Sequence, residues 1–127
     1  MAERLGFETD RAAVLGGPYS QAIIHNGLIY LSGQGPIDTE TNMAVPGTIE
    51  VETDLTMKNI RIILEDAGSS LHKILKVTVY LLDIREYGRF NEAYERHFEK
   101  SFPARSCIQA AKLPFGVRIE IDAIAYI

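Results

Sequence analysis

One cysteine, Cys107, is all that 127 residues provide. No intrachain disulfide can form, and such usage fits a reducing compartment. The chain also lacks an apolar run long enough to cross a bilayer, so no membrane partner is expected. Its first stretch, MAERLGFETDRAA, is mixed in charge and has no apolar core of the signal-peptide kind, and its acidic residues weigh against a mitochondrial presequence. A cytoplasmic protein is the expectation. Positive charge is short as well: 13 Lys and Arg stand against 17 Asp and Glu, a net charge of -4 that builds no field for nonspecific nucleic-acid binding. Repeats, low-complexity tracts and linkers are missing, which points to one domain over residues 1–127 with one sizeable core. No Walker loop, no G-x-G-x-x-G after a strand, no H-E-x-x-H and no C-x-x-C is present. His25, His72 and His97 are scattered over a strand end, a turn and a helix, so no metal site and no cofactor loop is legible.

What is present is an ordinary globular mixture, 46% apolar and 24% charged. QAIIHNGLIYLSG is two apolar segments around Asn26-Gly27, the pair favoured in a type I′ hairpin. A loop with Gly35, Pro36, Pro46 and Gly47 follows. TIEVETDLTMKNIRIILEDAG predicts a helix with Met57, Ile60, Ile63, Leu64 and Ala67 on one face and Gly68 as its stop. Leu55 and Ile62 fall on its far side, where a single chain gives them no evident cover. KVTVYLL alternates Val77, Val79 and Leu81 against Lys76, Thr78 and Tyr80, a half-buried strand. Asp83 and Glu86 have the spacing of a capping box ahead of a helix whose stripe is Phe90, Ala93, Tyr94, His97 and Phe98, with Pro103 marking its exit. On that stripe His97 reads as a core histidine. ARSCIQAA and VRIEIDAIAY are two further strands. The order β-β-α-β-α-β-β predicts an α/β (α+β) mixed sheet with both helices on one face. In the last strand Val117, Ile119, Ile121, Ala123 and Ala125 suit the helix side. The opposite row, Arg118, Glu120, Asp122, Ile124 and Tyr126, is too mixed for a dry core and predicts a partly polar subunit interface.

Arg105 poses the chemical question. A guanidinium does not deprotonate in a protein, so one placed at the start of an apolar strand calls for an anionic partner, either in this chain or on something it binds. Glu120 interrupts another apolar strand, and its residue type fits a structural partner of Arg105, a surface carboxylate or a general acid/base. Cys107, without a recognisable histidine partner, reads as a small hydrophobe rather than a nucleophile. Asn91 fits a solvated helix position, and Tyr19, after GGP, fits core packing.

Taken together, GGPYSQA (16–22), IYLSGQGPID (29–38), ILEDAGSSL (63–71), VTVYLLDI (77–84), FNEAYERHF (90–98) and FPARSCIQAAKLPFGVRIEIDAIA (102–125) resemble the RidA/YjgF family of imine deaminases over nearly the whole chain. The resemblance implies a chorismate-mutase-like homotrimer with pockets between adjacent subunits. It implies hydrolysis of 2-imino acids, such as 2-iminobutanoate and 2-iminopropanoate, to 2-oxo acids and ammonia, without a cofactor. Arg105 would hold the substrate carboxylate, Glu120 would position a water, and Tyr19 would approach the reactive end. Ser32, Gly33, Asn91 and the backbone at Cys107 would line the pocket. An extra glycine in GGPYSQ and the GPID after Gln34 depart from the pattern and leave the preferred side chain open. Alternatives are a ligand-sensing or chaperone-like trimer without catalysis, a ribonuclease, which the acidic charge disfavours, and a deaminase of a bulkier unsaturated amino acid such as an aminomuconate.

Overall fold

The computed structural model describes residues 3–127. Six strands form one sheet in the order β1-β2-β3-β8-β6-β7. These are β1 (Leu5–Phe7), β2 (Ala22–His25), β3 (Leu28–Gln34), β8 (Ile119–Tyr126), β6 (Ile74–Leu81) and β7 (Ala104–Gln109). All neighbours run antiparallel except β6 and β7, which are parallel and joined through the helix α2 (Tyr87–Glu95). A small separate hairpin, β4 (Ile37–Asp38) with β5 (Met43–Ala44), precedes the helix α1 (Ile49–Asp66). The predicted order thus holds for the seven long elements, while β1 and the β4–β5 hairpin add to it.

Local chemistry accounts for the main turns. Asn26 and Gly27 both have positive φ, 51° and 77°, as a type I′ turn demands. Helix α1 is capped by Thr48, whose hydroxyl accepts from the backbone N–H of Val51, and Gly68 leaves it at φ 91°. The core lies between the sheet and the two helices. Val77, Val79 and Leu81 of β6 and Ile119, Ile121, Ala123 and Ala125 of β8 meet Met57, Ile60, Ile63 and Leu64 of α1 and Phe90 and Tyr94 of α2.

Three expectations change. Ile62 is buried and belongs to the core, on the side of α1 where Asn59 bonds Gly35 and Ile37 and Asp66 bonds Thr9 and Arg11, and Leu55 is half-buried. The capping box does not form: Asp83 accepts from the N–H of Arg85 to start a 3-10 turn at Ile84–Glu86, and Glu86 reaches to Arg118 and Arg89 instead. His97 lies beyond the end of α2 and is not a core side chain. It is half-buried, with Nε2 2.8 Å from Asp54 Oδ1, tying the end of α2 to α1. No helix among the described residues is long and apolar enough to cross a membrane.

Candidate active site

Arg105 points to the helix side of the sheet. It pairs across the parallel ladder with Val77, and Cys107 with Val79, both core residues, so the two share the inner face of β7. There the guanidinium lies among three aromatic rings, with its carbon 5.5 Å from the Tyr87 centroid, 5.2 Å from Phe90 and 5.0 Å from Tyr94. Its Nη2 donates to Asn91 Oδ1 at 2.8 Å and to Tyr87 Oη at 3.0 Å. No Asp or Glu among the described residues is within ion-pair distance of it. The anionic partner that the sequence calls for is thus not among the described residues. Burial pushes the Cys107 thiol above its ordinary pKa, with Arg105 pulling more weakly the other way, which disfavours a nucleophilic thiolate. The Tyr94 phenol is pushed up to about 12 by burial, against a smaller pull from Arg105. A cleft of about 390 Å³ beside Arg105 is lined by Asn91, Tyr94, Phe102 and Pro103.

Glu120 points the other way. It pairs with Tyr80 on the face that the helices leave uncovered. Burial, and then the like charge of Asp122, push its carboxyl pKa upward, and no described side chain donates a hydrogen bond to it. It lines a separate cavity of about 400 Å³ together with Tyr19, Ser32, Gly33 and Phe115. The expected site residues thus fall into two groups, Arg105, Asn91 and Cys107 on one face and Tyr19, Ser32, Gly33 and Glu120 on the other. A structural ion pair between Arg105 and Glu120 within one chain is ruled out by this arrangement.

The second group is built by an irregularity in β3. Leu31 pairs with Ala123 and Gln34 with Ile121, so β3 carries one extra residue at Ser32–Gly33, a bulge that re-aims the strand beside Glu120. A Cβ on residue 33 would lie 2.8 Å from Glu120 Cδ, so the absence of a side chain at Gly33 lets the carboxyl group sit where it does. Ser32 Oγ donates to Ser20 O at 2.6 Å and thereby holds the segment that presents Tyr19. A Cβ on Gly17 (φ 142°) would meet the Tyr19 ring at 2.9 Å, and Gly16 has φ 75°, so each glycine of GGPYSQ has its own structural reason.

Other contributors were not read from the sequence. Gln21 is buried, accepts from Thr9 N and donates to Thr9 O and Ala13 O, pinning the loop that leads to Tyr19. Buried Asn59 donates to Gly35 O and Ile37 O, which border the cavity. Phe115, at φ 62° and 68% exposed, stands at the cavity mouth in a backbone conformation that costs a bulky residue energy. A non-glycine residue followed by glycine in a proline turn was the available signal for it. Among the described residues no group of three or more His, Cys, Asp and Glu is placed to hold a metal ion.

Residues 9–127 match the family described as endoribonuclease L-PSP. A RutC family protein of Pyrococcus abyssi is 45% identical over 126 residues, covering 99% of this chain and 98% of its own. The 2-iminobutanoate/2-iminopropanoate deaminase of Mus musculus is 42% identical over 117 residues, 92% of this chain and 87% of its own. The crystal structure of E. coli TdcF with bound serine superposes with a TM-score of 0.90 at 34% identity, covering 97% of this chain and 98% of that one.

Proposed function

The chain belongs to the endoribonuclease L-PSP family, that of the RidA/YjgF proteins, and from that premise we propose that it hydrolyses 2-imino acids to 2-oxo acids and ammonia. One observation supports this reading above the rest: Arg105 is held among aromatic rings with no carboxylate of the described residues at ion-pair distance. Such a guanidinium lacks the counter-charge that a ligand carboxylate supplies, and its planar fork matches that group in shape. A 2-imino acid carries that carboxylate next to an electrophilic C=N bond. Glu120, whose raised pKa brings it closer to neutrality, takes a proton from water as the oxygen adds to C2 and returns it to nitrogen, then carries a second proton from the new C2 hydroxyl to the amino group. The C–N bond then breaks, and ammonia and the 2-oxo acid leave. An imine is electrophilic enough for this to need neither a metal nor a prosthetic group.

Arg105 and Glu120 lie on opposite faces of the sheet, so one copy cannot bring both to one substrate. Each site draws Arg105, Asn91 and the Cys107 backbone from one subunit and Tyr19, Ser32, Gly33 and Glu120 from the next, in a homotrimer. Tyr30, Ile108, Ile124 and Tyr126, apolar groups on the uncovered face, support burial of that face between copies. The test is hydrolysis of 2-imino acids generated in place by an amino-acid oxidase, with residual imine trapped by semicarbazide. Arg105→Ala should abolish turnover while the protein stays folded, since loss of a buried charge partner costs the bound state roughly 2–5 kcal/mol, about two to four orders of magnitude. Near-normal turnover in that variant would sink the carboxylate clamp.

A further inference from the structure

The way Arg105 is held creates a difficulty for a carboxylate. A guanidinium offers two edges with paired donors: Nε–H with one Nη2–H, and Nη1–H with the other Nη2–H. The third edge is blocked by the side chain's own Cδ. Nη2 is therefore common to both two-point grips. In this chain Nη2 already donates to Asn91 Oδ1 and to Tyr87 Oη. With both of its hydrogens engaged, neither edge can take a carboxylate through two parallel bonds until one internal acceptor lets go.

Of the two, Tyr87 is placed to leave. Its bond is the longer, 3.0 Å against 2.8 Å, and is solvent-exposed, whereas the Asn91 bond is partly buried. The Tyr87 side chain is 42% exposed, so water can satisfy its hydroxyl on release. Asn91 follows four residues later on the same face of α2 and keeps the guanidinium in place meanwhile. We propose that the Tyr87 hydroxyl is an internal competitor for the substrate carboxylate. It occupies a donor of Arg105, holds the side chain in position, and gives way when a carboxylate binds, thereby setting substrate affinity. This rests on Arg105 being the carboxylate clamp.

Tyr87→Phe isolates the effect, because the ring stacked on the guanidinium remains and only the acceptor is lost. Wild type, Tyr87→Phe and Arg105→Ala are titrated with 2-oxobutanoate by calorimetry, and imine hydrolysis is followed in parallel. Tyr87→Phe should bind 2-oxobutanoate roughly 2- to 12-fold more tightly, the net worth of one hydrogen bond expressed as affinity. kcat/KM should rise with the change carried by KM. If Arg105→Ala abolishes binding but Tyr87→Phe binds equally or less well, the competitor role is overturned and the clamp stands. Binding undiminished in Arg105→Ala overturns the clamp itself, and the competitor with it.

Discussion

At the scale of the residue, Glu120 has no donor among the described side chains and a like-charged neighbour in Asp122, and both facts fix what its replacement does. Glu120→Gln keeps the shape but cannot accept a proton at neutral pH, so turnover should fall about 10²–10⁴-fold in the imine assay. Stability should not fall with it. Because the folded protein raises this carboxyl's pKa above its ordinary 4.5, the native state binds more protons than the unfolded one. Ionised Glu120 therefore costs stability, increasingly as pH rises from about 4.5 through the raised value. Glu120→Gln should melt at or above the wild-type temperature at pH 7, with the difference closing below pH 4.5. A variant that loses activity and melts lower at pH 7 would give Glu120 a structural role instead. At this scale little of the site could be read without the resemblance. Arg105 called for an anion without naming it, while Glu120, Cys107, Tyr19 and Asn91 each had an ordinary explanation from residue type, and it is their pattern within long matching segments that marks them. The carboxylate-free surroundings of Arg105 depend on α2 folding back over β7, which no local pattern encodes.

Among the elements, the junction of α1 with the entry to β8 decides how Glu120 is presented. Glu52, 2% exposed in the first turn of α1, accepts from Arg118 N at 2.7 Å and Gly47 N at 3.2 Å. The Arg118 guanidinium in turn donates to Gly47 O and to Glu86 at the start of α2. One buried carboxylate thus ties a loop, two helix starts and the strand that carries Glu120 two residues on. Glu52→Ala strands those donors and should cost roughly 3–5 kcal/mol in a denaturant titration. A loss within 0.5 kcal/mol, about that of an ordinary surface substitution, would show that the network does not hold the junction. Glu52 went unread because its polarity places it on a helix's wet side until tertiary contacts bury it. The long elements were legible, since α1, β6 and β8 repeat their apolar residues at the helix or strand period, and Asn26-Gly27 names its own turn. Strand β1 and the β4–β5 hairpin were not, being two or three residues each and largely exposed at Leu5 and Met43. In β7, Arg105 and Cys107 face in while Ser106 and Ile108 face out, a pattern too weakly amphipathic to assign a face before the ladder to β6 is known.

For the whole molecule, the division of the site between two sheet faces gives a test that does not depend on imaging the assembly. Arg105→Ala and Glu120→Gln are each inactive alone if both residues serve every site. Co-expressed in equal amounts and assembled at random, they should recover about a quarter of wild-type activity, because about one in four neighbouring pairs joins an intact Arg105 to an intact Glu120 in the required direction. No recovery in mixed assemblies, verified by differential tagging, would mean that both residues act within one chain. The sheet's order carries a related consequence. Strand β7, which bears Arg105, is an edge, bonded to β6 on one side only. On the shared site proposed above, a chain parted from its neighbours holds two halves that it cannot close, so specific activity should fall on dilution and return on concentration. On that proposal, output rises more steeply than abundance wherever the protein is dilute enough to part, and a cell that makes half as much of it there loses more than half of what it does.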